Sequence, residues 1–431
     1  MRTLIQAFRT KELRNKILFT FGIIIIYRIG SFIPTPGVDY KVVQECVSAS
    51  SNEDFVGLVN LFSGGALLQL SIFALGIMPY ITASIVIQLL RVVIPRFEAL
   101  HKEGQSGEAK LTEYTRYLTI GLAILQSTTI LVTARSGALF NYACSGSVIP
   151  DSSVINLAVM VIIMTGGTGL IMWMAELITD HGIGQGMSVL IFLSICSGFL
   201  PQLWQIGTSN SWAKFGIVVG VLLVITVFVV FVEQSQRRIP VQYTRRMIGR
   251  KMYGGTSTYI PLKINMSGVI PPIFASSILA IPTLIAQFGN SEQSWVTWIT
   301  NNLANTTSVW YIVLYSVMIV FFTFFYTSIT FNPDETADDM KQYGGFIPGI
   351  RAGKATSQYL SYVMNRLNTV GAIYLLFVAL IPTVLIMALQ LSSQLPFGGT
   401  TILIIAGVGL DTLRQAAAQV EQFQYGGFLE D

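Results

Sequence analysis

The chain has 431 residues, 52% of them hydrophobic and only 11% charged, with a formal net charge of +4 and a mean hydropathy of +0.62. Soluble globular chains carry about a quarter charged residues, so this composition excludes a soluble fold. Apolar runs near 20 residues long recur along it, as at 17–33, 154–175, 215–232 and 310–330, and runs of that length match the hydrocarbon core of a bilayer. Helices are the required form, because a backbone in lipid must satisfy its own hydrogen bonds and these runs lack the alternation of a membrane barrel.

In chain order, hydropathy predicts spans at 17–35, 73–93, 117–134, 154–176, 188–205, 213–232, 267–287, 310–331, 369–391 and 400–416, ten in all. The first 16 residues are basic and amphipathic, and the run after them ends at Pro34-Thr35-Pro36-Gly37 without a small-residue cleavage pattern, so the first span is expected to be retained. With the N-terminus inside, 22 of the 26 Lys and Arg residues fall in inner segments; Arg28, Lys41, Arg135 and Lys214 are the remainder. The positive-inside bias therefore places both termini in the cytoplasm. Two inner segments, about 233–266 and 332–367, read as long loops.

Residues 60–95 form an apolar stretch of 36 residues, too long for one straight span. Gly64, Gly65, Gly76 and Pro79 supply breaks, predicting a short helix near 65–71, a hinge and then a span from about 73 to 93. Such a half-helix can line or plug a water-filled path; an amphipathic segment lying on the outer interface is the alternative.

The interior lacks the midplane charges of an ion-coupled carrier. Arg28, Glu176, Glu233 and Asp411 lie near span ends, where snorkelling is the expected role, and Thr82, Gln88 and Gln126 are uncharged. Hydrolase and zinc motifs are missing, and Gly349 to Ala355 fails as a phosphate loop because its glycine spacing is short and Ala355 replaces the hydroxyl. An enzyme, a cofactor and a metal site are not expected, since the only histidines are His101 and His181. Of three cysteines, Cys46 and Cys144 fall in outer loops and could pair, but unpaired thiols are the expectation.

Several motifs are distinctive together and in order. They are Tyr27-Arg28-Ile29-Gly30-Ser31-Phe32-Ile33-Pro34, the stretch from Phe62 to Ile81, Glu103-Gly104-Gln105-Ser106-Gly107 and Gly182-Ile183-Gly184-Gln185-Gly186. Gln236-Arg237-Arg238-Ile239-Pro240, Lys263-Ile264-Asn265-Met266-Ser267-Gly268, Phe331-Asn332-Pro333-Asp334-Glu335 and Phe346-Ile347-Pro348-Gly349-Ile350-Arg351 follow. In these motifs the chain resembles the SecY/Sec61-alpha family across its whole length.

The resemblance implies an all-α integral membrane channel of ten transmembrane helices, in two inverted five-helix halves around a central pore. The halves are expected at 1–206 and 213–431, joined by an outer hinge loop at 207–212. It implies a hydrophobic pore ring of Ile77, Ile81, Met187, Ile191, Ile273 and Ile404, with Met187 replacing the family's isoleucine. The i,i+4 spacing of Ile77 with Ile81 and of Met187 with Ile191 puts each pair on one helix face, as a ring requires. A short plug half-helix is expected over Phe62, Ser63, Gly64, Gly65, Ala66, Leu67 and Leu68, and a lateral gate held by a hydrogen bond between Thr82 and Gln126.

Arg237, Arg238, Arg245, Arg246, Arg250 and Lys251 form a basic cluster suited to ribosomal RNA or anionic membrane lipids. The resemblance adds Arg351 as a contact for the SecA motor and the ribosome, with SecE-like and SecG-like subunits as membrane partners. The implied function is passage of unfolded secretory preproteins bearing signal sequences across, and lateral release of membrane segments into, a bacterial cytoplasmic membrane. A secondary transporter and a pore-free assembly scaffold are the competing readings.

Overall fold

The computed structural model describes residues 11–49, 60, 63–135, 137–140, 147–151, 153–209, 212–243, 246–248, 251–253, 257–287, 293–304, 308–389 and 399–426. The fold is predominantly helical. The helices in its first half are α1 (Lys11–Gly30), α2 (Tyr40–Ala49), α3 (Met78–Val93), α4 (Pro95–Lys102), α5 (Gln105–Arg135), α6 (Val154–His181) and α7 (Gly186–Ser209). The second half begins with α8 (Trp212–Gln234) and strands β1 (Gln236–Tyr243), β2 (Arg246–Ile248), β3 (Lys251–Tyr253) and β4 (Ser257–Lys263). It continues through α9 (Ile270–Gln287), α10 (Ser294–Ile299), α11 (Val309–Thr330), α12 (Pro333–Gln342), β5 (Gly345–Phe346), α13 (Lys354–Leu389) and α14 (Gly399–Gly426).

Six helices among the described residues are long and apolar enough to cross a membrane, or seven if α3 and α4, which meet at 97°, form one broken span. α1 falls outside that set because Arg14, Lys16 and Arg28 interrupt its apolar run. Large side chains such as Leu18, Phe21, Phe228 and Phe231 are exposed on the outside of the bundle, as a lipid-facing surface requires.

Three expectations are corrected. First, residues 63–77 are a succession of turns, not a helix, and helix begins only at Met78, five residues later than expected. The cause is backbone hand: Gly64, Gly65, Leu70 and Gly76 all have positive φ, which a right-handed helix cannot include. Second, the inner segments are not loops. β1 pairs antiparallel with β4 along its length and with β5 at Gln242 and Tyr243, giving the sheet order β4-β1-β5. Its Ile239 and Val241 turn inward and pack with Leu262, Met340, Ile347 and Leu360, so both inner segments share one small core. α13 extends well before its apolar stretch, starting at Lys354. Third, Cys46 is disulfide-bonded, whereas Cys196 is free; Cys144 lies outside the described residues.

The turn segment is wedged between two glycines. A Cβ on Gly30 would lie 2.1 Å from the Phe73 ring, and one on Gly167 would lie 2.1 Å from the Ile72 carbonyl oxygen. The second contact is with backbone, which cannot swing away as a side chain can. Gly167→Val is therefore expected to cost about 1–3 kcal/mol of stability through overpacking. A lowered thermal midpoint of the purified protein in detergent, against an unchanged Gly169→Val control with open space at its Cβ position, would show it.

Candidate functional site

Four helices deliver the expected ring residues to one place. Ile77 precedes the first turn of α3, Ile81 lies within it, Met187 and Ile191 sit on α7, Ile273 on α9 and Ile404 on α14. Ile77, Ile191, Ile273 and Ile404 are buried in a single apolar cluster, with Ile81 and Met187 packed against it partly buried. Phe73, Leu190, Ile195 and Val408 belong to the same cluster; hydropathy could not single them out, because they look like any other apolar residue of a span.

A cavity of about 190 Å³ opens on one side of this cluster. Ile81, Met187, Ile191, Ile273 and Ile404 line its apolar floor, whereas Ile77 does not reach it, and Tyr80, Ser84, Gln88, Gln185 and Ser188 supply its polar wall. No carboxylate or ammonium is among the lining residues. The arrangement is an uncharged cavity, polar on Tyr80, Ser84, Gln88, Gln185 and Ser188 and apolar where it meets the isoleucine cluster; an apolar collar of this kind is the sort of surface that can exclude ions by dewetting.

Ile77 is the last residue of the turn segment. Asn60 and Ser63 organise its start: the Leu68 amide donates to Asn60 Oδ1 at 3.1 Å and the Leu67 amide to Ser63 Oγ at 3.1 Å. Ala66, Leu67, Leu68 and Leu70 are buried. The leucines pack with Val43, Cys46, Phe140, Val148, Ile149, Met160 and Met164, which form a cap over the segment. Phe62 lies outside the described residues; Ser63, Gly64, Gly65, Ala66, Leu67 and Leu68 are all in the segment. Its far end is tied down by the Thr35 amide donating to the Leu70 carbonyl at 2.9 Å and the Ile72 amide donating to Ile33 at 3.0 Å.

The residues expected to bond across a gate do not do so here. The Thr82 hydroxyl donates to the Met78 carbonyl in its own helix at 3.0 Å. Thr82 and Gln126 also sit on α3 and α5, which pack side by side as neighbours on the same wall. α3 also touches α9, with buried Ile85 and Phe274 in one apolar cluster, while α7 packs more extensively against α8 and α14.

Residues 71–413 match the SecY protein family. The chain belongs to the SecY family. The protein translocase subunit SecY of Streptomyces coelicolor is 60% identical over 430 residues, covering 98% of each chain, and that of Mycobacterium tuberculosis is 52% identical over 442 residues, covering 99% of each. Among solved structures, one described as a protein-conducting channel superposes with a TM-score of 0.60 at 16% identity, over 94% of this chain and 91% of that one. A second, concerning the SecY plug domain that stabilises the closed state of the translocation channel, gives 0.61 at 17% identity with the same coverage.

In this SecY-family chain the clustered basic residues divide. Arg237 and Arg238 are exposed on β1, with the Arg238 guanidinium 4.8 Å from the Tyr259 ring centroid. Arg246 and Lys251 begin the paired strands β2 and β3, and Arg245 and Arg250 lie outside the described residues. Arg351 is exposed in a turn flanked by Gly349 and Gly353, both with positive φ, and its carbonyl accepts from the Thr356 hydroxyl at 3.0 Å. β5 and Ile347 anchor that turn to the sheet that carries Arg237 and Arg238.

Because dewetting needs an unbroken apolar collar, Ile81→Ser combined with Ile191→Ser is expected to admit water and raise idle ion conductance several-fold. Conductance across vesicles containing the assembled complex reads this; a leak no larger than in the unmodified protein would remove the constriction assignment.

Proposed function

We propose that this chain forms the central pore of a protein translocon, passing unfolded secretory polypeptides through the constriction at Ile81, Ile191, Ile273 and Ile404. It is a protein translocase channel subunit and not an enzyme. The observation that carries the pore assignment is the convergence of those side chains, from four helices spread over the whole chain, on the floor of one uncharged vestibule. A carrier binding ions or solutes at the midplane would present ionisable ligands there, and the vestibule lining has none beyond the Tyr80 phenol.

The finer architecture follows as part of the same proposal. Ten spans, in two inverted halves at 1–206 and 213–431, surround the pore, with α1, α3, α5, α6 and α7 in one half and α8, α9, α11, α13 and α14 in the other. The halves join between α7, which runs through Gly207 to Ser209, and α8, which starts at Trp212, where the Trp204 and Trp212 rings meet edge to face at 5.7 Å. α3 with α5 forms one lip of the lateral gate and α9 with α11 the other, each lip packed within itself. The turn segment from Ser63 acts as the plug. An apolar seam of Ile85 and Phe274 suits a gate that a hydrophobic signal sequence must enter, since apolar contacts exchange for one another at little net cost.

Both termini lie in the cytoplasm, and the β4-β1-β5 sheet with the Arg351 turn forms the docking face for a SecA motor or a ribosome. A solved complex described as Sec61 in the canine ribosome-channel complex shares the fold, with a TM-score of 0.53. SecE-like and SecG-like subunits are proposed to clamp the bundle in the bacterial cytoplasmic membrane. Support for the docking face is its exposed positive charge, Arg237, Arg238 and Arg351, on one rigid sheet and turn; phosphate-rich RNA and acidic protein surfaces both suit it.

A photo-reactive side chain in place of Ile81 tests the pore directly. It is expected to crosslink to a secretory chain stalled part-way through export, and only when that chain carries a signal sequence. A folded, engaged complex that gives no crosslink would favour the transporter or scaffold readings.

A further inference from the structure

Arg28 is the one guanidinium on the interior apolar face of the first helix, and its surroundings are specific. One Nη donates to the Gly64 carbonyl at 2.7 Å and to Ser197 Oγ at 3.1 Å, and the guanidinium carbon lies 4.7 Å from the Phe32 ring centroid. Ser197 sits on α7 and directs its hydroxyl to the Ser194 carbonyl at 2.8 Å and towards Gly64 at 3.5 Å. One turn away, the Tyr27 hydroxyl and Ser194 Oγ are 2.7 Å apart, so α1 and α7 are pinned together beside the Arg28 contact. Among the described residues, none of the ion pairs includes Arg28.

We infer that Arg28 is a positioning residue that clasps the plug segment shut, with Ser197 as its second jaw and the Gly64 carbonyl as the catch; this rests on the channel reading above. The catch must be a glycine. Gly64 has φ of +67°, and a Cβ there would lie 3.0 Å from Ser197 Oγ and 3.4 Å from the Arg28 Nη, so any side chain would push the jaws off the carbonyl.

The switching follows from solvation. A guanidinium left without partners inside protein is costly, so while the pore is dry Arg28 needs the Gly64 carbonyl as much as the segment needs Arg28. When a polypeptide and water enter, hydration replaces that partner and the cost of release falls. The clasp is therefore strong in the idle channel and weak in the working one, which apolar packing of Leu67, Leu68 and Leu70 cannot achieve alone.

Arg28→Gln removes the charge and the fork. A charge-assisted bond lost from the closed state only should raise the open population, and with it idle ion conductance, about tenfold or more. Ser197→Ala should give a smaller rise, and the double variant should fall short of the product, because both act on one carbonyl. Arg28→Lys, which keeps a charged donor, should recover part of the seal. Export of a normal preprotein should persist, while one with a crippled signal sequence gains passage, a pattern that mere destabilisation would not produce. The Ile81→Ser, Ile191→Ser protein serves as reference. If it leaks and assembled Arg28→Gln and Ser197→Ala do not, the clasp is wrong and the channel stands; if neither leaks, the channel reading itself goes, and the clasp with it. Should Arg28→Gln fail to assemble, Ser197→Ala decides alone: a leak supports the clasp and a tight channel refutes it.

Discussion

Irregular backbone survives at membrane depth only where protein or water, and not lipid, meets its amides and carbonyls. Residues 63–77 are such backbone, fifteen residues of turns placed between spanning helices. Everything around them is arranged to satisfy that one demand. Asn60 and Ser63 take amides at the start, Ile33 and Thr35 bond the end, and Arg28 takes the Gly64 carbonyl. The glycines at 30 and 167 let α1 and α6 come close enough to exclude lipid. A regular helix here would satisfy its own backbone and need none of these neighbours; turns make the segment depend on its surroundings, and so make it displaceable when the surroundings move.

The sequence disclosed the spans because hydropathy over about 20 residues is a bulk property that local detail does not disturb. It suggested the proposed ring only through resemblance, since nothing in an isoleucine distinguishes buried Ile404 from exposed Ile217. The segment 65–71 is not helical for a legible reason: the glycines at 64, 65 and 76 suggest hinges flanking a helix, but positive φ at Leu70 as well leaves no run long enough to form one. The inner segments are not loops for another. β1 alternates over only eight residues and includes a proline, so its pairing with β4 is decided by the partner strand and not by its own pattern. The pairing of Cys46 depends on distance in the folded chain, which spacing along the sequence does not report.

The charges near the span ends tell a related story. Snorkelling is a sound expectation for a lone residue, yet here most have protein partners. Arg116 pairs with Glu176 at 2.8 Å, joining α5 to α6, and Asn265 donates to the buried Glu233 at 2.6 Å while Ser267 donates to Asn265. The Arg414 guanidinium donates to the Glu233 carbonyl at 3.2 Å, tying α14 to α8. At the opposite end Lys214 donates to the Leu389 carbonyl at 2.9 Å, closing the last turn of α13. These bonds lie within one half or the other. In the proposed two-half architecture they hold each half rigid, whereas the α3–α9 contact at Ile85 and Phe274 is apolar.

That division of labour explains how one molecule can both seal and open. Hydrogen bonds are directional and lose most of their strength when stretched, so they suit contacts that must be either made or broken, as at Arg28 and Gly64. Apolar contacts are non-directional, so a ring and a seam built from them can widen by degrees around a passing chain of any sequence and close again without finding a register. Met187 extends the argument. A flexible thioether can follow a moving surface where a β-branched isoleucine at the same place must hold one rotamer, and Met187 is the half-buried member of the proposed collar that lines the cavity. A collar of five stiff isoleucines with one compliant member keeps its shape when empty and still conforms when filled.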